Sequence, residues 1–145
     1  MTTQNQNTDS SKFSTIPYQK RVEKPWGYEL LFTSPESKTV GKLLHIKAGC
    51  RLSFQYHDEK EETGILISGQ AVFLLENKDG QLQEINMEVN KGYRTIPFQK
   101  HRYIAVTDCD IFETSTPETG NTVRLEDDYK RPTETEELRK KERNL

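Results

Sequence analysis

Apolar and polar residues alternate with a period of two through most of the chain between Lys24 and Ser115, in short runs. That is the spacing at which the side chains of an extended strand share a face. It predicts strands over residues 24–32, 40–47, 62–66, 71–76, 81–87, 93–98, 101–106 and 111–115, and a further one through Gln55 and His57. Turn residues stand between them, at Ser34-Pro-Glu-Ser-Lys38, Ser68-Gly69-Gln70, Asn77-Lys-Asp79-Gly80 and Val89-Asn-Lys-Gly92. Asp79-Gly80 supplies the positive φ angles of a tight hairpin. Short strands with turn signals every eight to twelve residues or so indicate an all-β sandwich or barrel. No long helical period interrupts them.

The ends break this pattern. Residues 1–15 are rich in Thr, Gln, Asn and Ser and offer little to bury, so a disordered tail is expected there. Residues 16–132 form the expected domain. Residues 133–145 read as a Thr-capped charged helix, marginal in isolation, serving as a solvated tail or an oligomer contact. The tails explain why only 32% of the chain is hydrophobic while 30% is charged. Since 21 basic residues nearly cancel 23 acidic ones, no field for nucleic acid or a membrane surface is expected. No basic leader followed by an apolar run opens the chain, and no apolar run approaches the ~20 residues that cross a bilayer. A soluble, cytoplasmic protein is expected, with Cys50 and Cys109 as reduced thiols.

Alternation also assigns faces. In residues 40–47, Lys42, Leu44 and Ile46 share one face, and His45 looks the other way and is not expected to be a ligand. A lysine aimed into a barrel needs a carboxylate or anion to meet it, or an open end where its ammonium reaches water. Trp26, Tyr28 and Phe32 fall on one face of a single strand, with Trp26 as a core or lid aromatic. Gln55 and His57 share a face, and a hairpin return brings Glu62 opposite them. His101 follows a later strand and turn, on one face with Tyr103 and Ala105. An amide oxygen, two imidazoles and a carboxylate suit a divalent ion of the Mn, Fe, Co, Ni or Zn type.

Gly49, Gln55, His57, Glu62 and Gly69, then Gly92, Pro97 and His101, resemble the two cupin motifs. Within cupins, Leu52-Ser53-Phe54-Gln55-Tyr56-His57 is similar to the C-terminal domain of type II mannose-6-phosphate isomerases and the small stand-alone cupins related to it. The resemblance runs from about Val22 to Arg131 and implies a double-stranded β-helix, or jelly-roll barrel. It also implies metal ligation by Gln55, His57, Glu62 and His101, and an approach of Arg131 to a bound sugar phosphate. Four short stretches near the barrel mouth depart from the relatives. Asp58-Glu59-Lys60 replaces a run of histidines, Ala105 replaces an Asn, Gly120-Asn121 replaces an acidic pair, and Lys130 replaces a Gly.

The function implied is metal-dependent interconversion of mannose 6-phosphate and fructose 6-phosphate, or of a related hexose phosphate. Glu62 and Arg131 are the catalytic candidates, and Lys42, Arg94, Tyr103, Arg124 and Arg131 the substrate-binding ones. The alternatives are a non-catalytic sugar- or nucleotide-sugar-binding cupin supporting polysaccharide metabolism, an Fe(II) oxygenase, and a structural protein. A homodimer is expected, with a segment from about Phe13 to Val22 adding to a neighbour's sheet edge.

Overall fold

The expected strand over residues 24–32 is instead a hairpin. In the computed structural model, which describes residues 9–145, β1 (Lys20–Lys24) turns at Pro25-Trp26 into β2 (Gly27–Leu31). The turn drops Trp26 into the core, while Tyr28 stacks on His45 and Phe32 packs edge-on to Phe112 outside it. Only glycine suits position 27, because φ is +152° and a Cβ would lie 1.9 Å from the His45 carbonyl oxygen.

The remaining strands are β3 (Val40–Ile46), β4 (Phe54–His57), β5 (Glu62–Ser68), β6 (Ala71–Glu76), β7 (Leu82–Asn86), β8 (Gly92–Thr95), β9 (His101–Ala105), β10 (Cys109–Ser115) and β11 (Thr122–Glu126). They form two antiparallel sheets, ordered β1-β2-β3-β10-β5-β8 and β11-β4-β9-β6-β7, which enclose one core as a jelly roll. This is the expected all-β, cupin-type architecture. Strand β8 stops at Thr95 rather than running to residue 98, because Phe98 takes a positive φ of 69° in the following turn. Strand β11 lies in a stretch whose charge hid its alternation.

Inward-facing rows across the larger sheet change character along the barrel. Cys109 lies opposite Ile46, and Ile111 lies between Leu44 and Leu66; one step further, Glu113 lies between Lys42 and Gly64, and Ser115 opposite Glu62. One half of the interior is therefore apolar, and Phe73 stacks there on Tyr103 at 4.5 Å. The other half is lined with buried charge.

Of the tail expected over residues 1–15, residues 1–8 lie outside the described residues; Ser10–Lys12 form a short 3-10 turn and Phe13 and Ile16 are exposed. At the other end the expected helix is present as α1 (Glu136–Glu142), capped by the Thr135 hydroxyl. It lies against the barrel. Within it only Arg139 is buried, and Arg143, which caps its end, is buried too. Among the described residues no helix is long and apolar enough to cross a membrane.

Candidate metal centre

Strands β4, β5 and β9 bring His57, Glu62 and His101 together, all buried, with ligand atoms within 4.8 Å of one another. The imidazole rings of His57 and His101 are 5.1 Å apart. Each ring is oriented from behind. His101 Nδ1 donates to the Gln99 carbonyl oxygen at 2.9 Å, which leaves Nε2 with its lone pair, and His57 Nδ1 lies 3.0 Å from the Thr122 hydroxyl. Gln55 is paired across the sheet with His101 and lines the same cavity. Its Oε1 accepts the Ser53 hydroxyl at 2.5 Å and keeps a second lone pair.

Protonation favours a cation. Burial lowers the His57 pKa, and burial together with the neighbouring His57 lowers His101 to about 4, so both rings are neutral at pH 7. Burial works against ionised Glu62, but the Lys60 ammonium beside it outweighs this and holds the carboxyl well below its ordinary range. His57 Nε2 touches Glu62 Oε1, yet it has no hydrogen-bond partner. A buried nitrogen without a partner, pressed against an anionic oxygen and beside a second free imidazole nitrogen, fits a divalent metal held by His57, Glu62 and His101, with Gln55 as a fourth donor.

A second carboxylate faces this cavity. Glu113, on β10, accepts the Tyr103 hydroxyl at 3.2 Å. Burial, then the charge of Glu62, pushes its pKa up to about 8, and burial and Glu113 raise Tyr103. A Cβ on residue 64 would sit 2.1 Å from the Tyr103 hydroxyl oxygen, so Gly64 makes room for the contact.

Lys42 does point inward, and carboxylates meet it. Its ammonium lies 2.5 Å from Glu118 and 3.7 Å from Glu29. Burial alone would lower its pKa, but these two anions raise it. Glu118 comes from the loop between β10 and β11 and gathers four cations. Besides Lys42 they are Arg143 at 2.5 Å, Arg139 at 3.5 Å and Lys60 at 3.9 Å. Arg143 also reaches Glu29 at 3.1 Å, Arg139 reaches Glu134 at 2.7 Å, and Lys60 reaches Glu62 at 3.5 Å. Helix α1 is thus joined to the His57–Glu62–His101 cluster through buried ion pairs.

Arg124 and Arg131 stand at the cavity mouth, and Arg131 is forked onto Asp127 at 2.9 and 3.0 Å. Arg94 is placed elsewhere, which corrects the sequence expectation. On edge strand β8 it alternates with the inward Tyr93, is exposed and pairs with Glu61 outside the cavity. His45 faces outward on Asp110 at 2.7 Å, and both cysteines are free. Sequence reading missed Lys60, Glu113 and Glu118. The alternation of Ile111, Glu113 and Ser115 could have revealed the second; a loop residue such as Glu118 gives no periodic signal.

The departures from the cupin relatives acquire reasons. Asp58 accepts the Asn121 backbone and side-chain N–H groups at 2.7 and 2.9 Å, so two of the departures form one contact. Lys130 adopts a φ of +55°, the left-handed backbone that makes glycine the natural residue there.

No family model matches the chain, and no curated protein matches it by sequence. Solved structures do. KdgF from Halomonas sp. is 12% identical with a TM-score of 0.57, over 66% of this chain and 83% of that one. The Bacillus subtilis oxalate decarboxylase described with Mn(II) centres is 12% identical with a TM-score of 0.65, over 79% of this chain and 33% of that one. CapF, a capsular polysaccharide assembling protein from Staphylococcus aureus, is 15% identical with a TM-score of 0.55, over 88% of this chain and 34% of that one. The chain spans about a third of the latter two. These neighbours are cupins, and the chain has the cupin fold with a cluster suited to a divalent ion. The likeness to mannose-6-phosphate isomerases rests on sequence motifs alone.

Proposed function

We propose that this protein is a metal-dependent isomerase of an anionic sugar, a hexose phosphate of the mannose 6-phosphate and fructose 6-phosphate kind, working as a homodimer. One observation carries the reading: a cage of two imidazoles and a carboxylate shares its cavity with a second carboxyl, Glu113, which accepts the Tyr103 hydroxyl. Aldose–ketose interconversion moves a proton between adjacent carbons and needs a group that can take it and return it. Glu62 is committed to the cage and to Lys60, so Glu113, oriented by Tyr103, is the better proton carrier. A bound divalent ion would supply electrophilic polarisation of the sugar oxygens. Arg124 and Arg131 at the mouth suit an anionic group, whereas Lys42 is already held by Glu118 and Glu29.

The test is an NMR assay of fructose 6-phosphate formed from mannose 6-phosphate by metal-loaded protein. Turnover abolished by EDTA and by Glu113→Gln is expected. Binding without turnover would overturn isomerisation in favour of a non-catalytic sugar-binding cupin, which the structural likeness to a capsular polysaccharide assembling protein also favours. Dimerisation is tested separately by sedimentation, with the mass expected to halve when residues 1–19, including exposed Phe13 and Ile16, are removed.

A further inference from the structure

The inner cavity beside the cage measures about 60 Å³. Each water needs roughly 10–15 Å³ of such space, so there is room for a few waters or the first atoms of a ligand, and a whole hexose is excluded. Arg124, Arg131 and Glu134 line the inner cavity and also an outer groove of about 450 Å³, which Pro132 and, from α1, Leu138 and Lys141 help to build. The groove has the volume typical of small-molecule sites, and the inner cavity does not.

Arg124 lines both spaces. Its Nη1 donates to the Pro132 carbonyl oxygen at 2.8 Å and its Nη2 to Glu134 at 3.4 Å, but its Nε is buried without a partner. Leaving a charged donor buried and unpaired is costly, and native structures rarely do so without a water or ligand to meet it. Glu134 offers little compensation, since it lies closer to Arg139, at 2.7 Å. Arg131 adds a second guanidinium, already shared with Asp127, and Lys141 a third cation, while Glu142, which also lines the groove, is taken up by Lys24 at 2.5 Å. Leu138, 41% exposed, supplies an apolar floor.

We propose that the substrate is bound in two parts, with its reacting end in the inner cavity and a distal anionic group in the outer groove, anchored by the Arg124 Nε–H and flanked by Arg131 and Lys141. The chemistry of the reacting end rests on the isomerase reading; the groove does not. Helix α1 therefore builds half of a ligand site.

The test follows the side-chain Nε–H signal of Arg124 by NMR in the metal-loaded full chain, with inorganic phosphate and mannose 6-phosphate as probes. Both are expected to shift it. Leu138→Trp, which fills the groove from an exposed position, and Lys141→Glu are each expected to weaken mannose 6-phosphate about tenfold while leaving metal content unchanged. A shift of Arg124 without turnover of any hexose phosphate would support the groove and overturn the isomerase. Turnover with Arg124 unmoved, or mannose 6-phosphate bound equally well by both groove variants, would overturn the groove.

Discussion

Two buried polar clusters lie side by side in this barrel, and they differ in how their charges are met. The Glu118 cluster balances its charges, with four cations around one carboxylate and Glu29 and Glu134 taking up the rest, even though Glu118 Oε1 meets its lysines without a hydrogen bond. The His57–Glu62–His101 cluster instead keeps neutral donors to spare, since His57 Nε2 has no hydrogen-bond partner and the His101 lone pair is left free. Equal burial therefore supports unequal conclusions. A closed network holds the fold together, whereas an open one waits for something outside the chain.

Substitutions should separate the two. The largest effect is expected from Glu118→Gln, which strands Lys42, Lys60, Arg139 and Arg143 around a neutral amide. Breaking such a buried pair costs about 3–5 kcal/mol, measurable by urea denaturation. Small loss there would mean that the network opens to water. His101→Asn should hardly shift the melting temperature of EDTA-treated protein but should abolish its rise with added Mn2+. That rise amounts to about 4 kcal/mol when the ion stands at a thousandfold its Kd. A metal-dependent rise that survives would dissolve the distinction between the clusters.

A smaller effect should appear with pH in metal-free protein. Glu113 titrates near 8 when folded and near 4.5 in its ordinary state, so the folded chain holds a proton that the unfolded chain has lost. Its contribution to stability is complete below pH 4.5 and disappears as pH rises through 8. His101, depressed to about 4, acts in the opposite sense, with stability present above 6.5 and lost as pH falls toward 4. Between pH 6.5 and 8 only Glu113 of this pair contributes, so Glu113→Gln should remove a decline of up to about 2 kcal/mol across that window. Identical slopes for the two proteins would show Glu113 ionised at neutral pH. The smallest effect is expected from Arg94→Ala, which should leave both melting temperature and metal content unchanged, because its pair with Glu61 is exposed.

The open cluster was legible in the sequence and the closed one was not. Period-two alternation alone sets the facing of Gln55, His57 and Lys42, and the resemblance of the Gly and His positions to the cupin motifs implied the barrel. Arg94 was misplaced although the same alternation puts it opposite to Tyr93. Glu118, Arg139 and Arg143 escaped for a physical reason. Charged residues in a loop and a terminal helix are ordinarily solvated, and only the far-apart meeting of Glu29, Lys42, Glu118 and α1 makes their burial tolerable. The Pro25-Trp26 turn was missed because the residues on either side alternate as though the strand ran through.

The docking of α1 through guanidinium groups, with no buried apolar side chain, has a thermal consequence. The cost of stripping water from ions falls on warming, while apolar stabilisation per unit area levels off. Heat loosens most chain ends before the body of a protein, but this one should stay seated until the barrel itself melts, and its weakest attachment should be found in the cold.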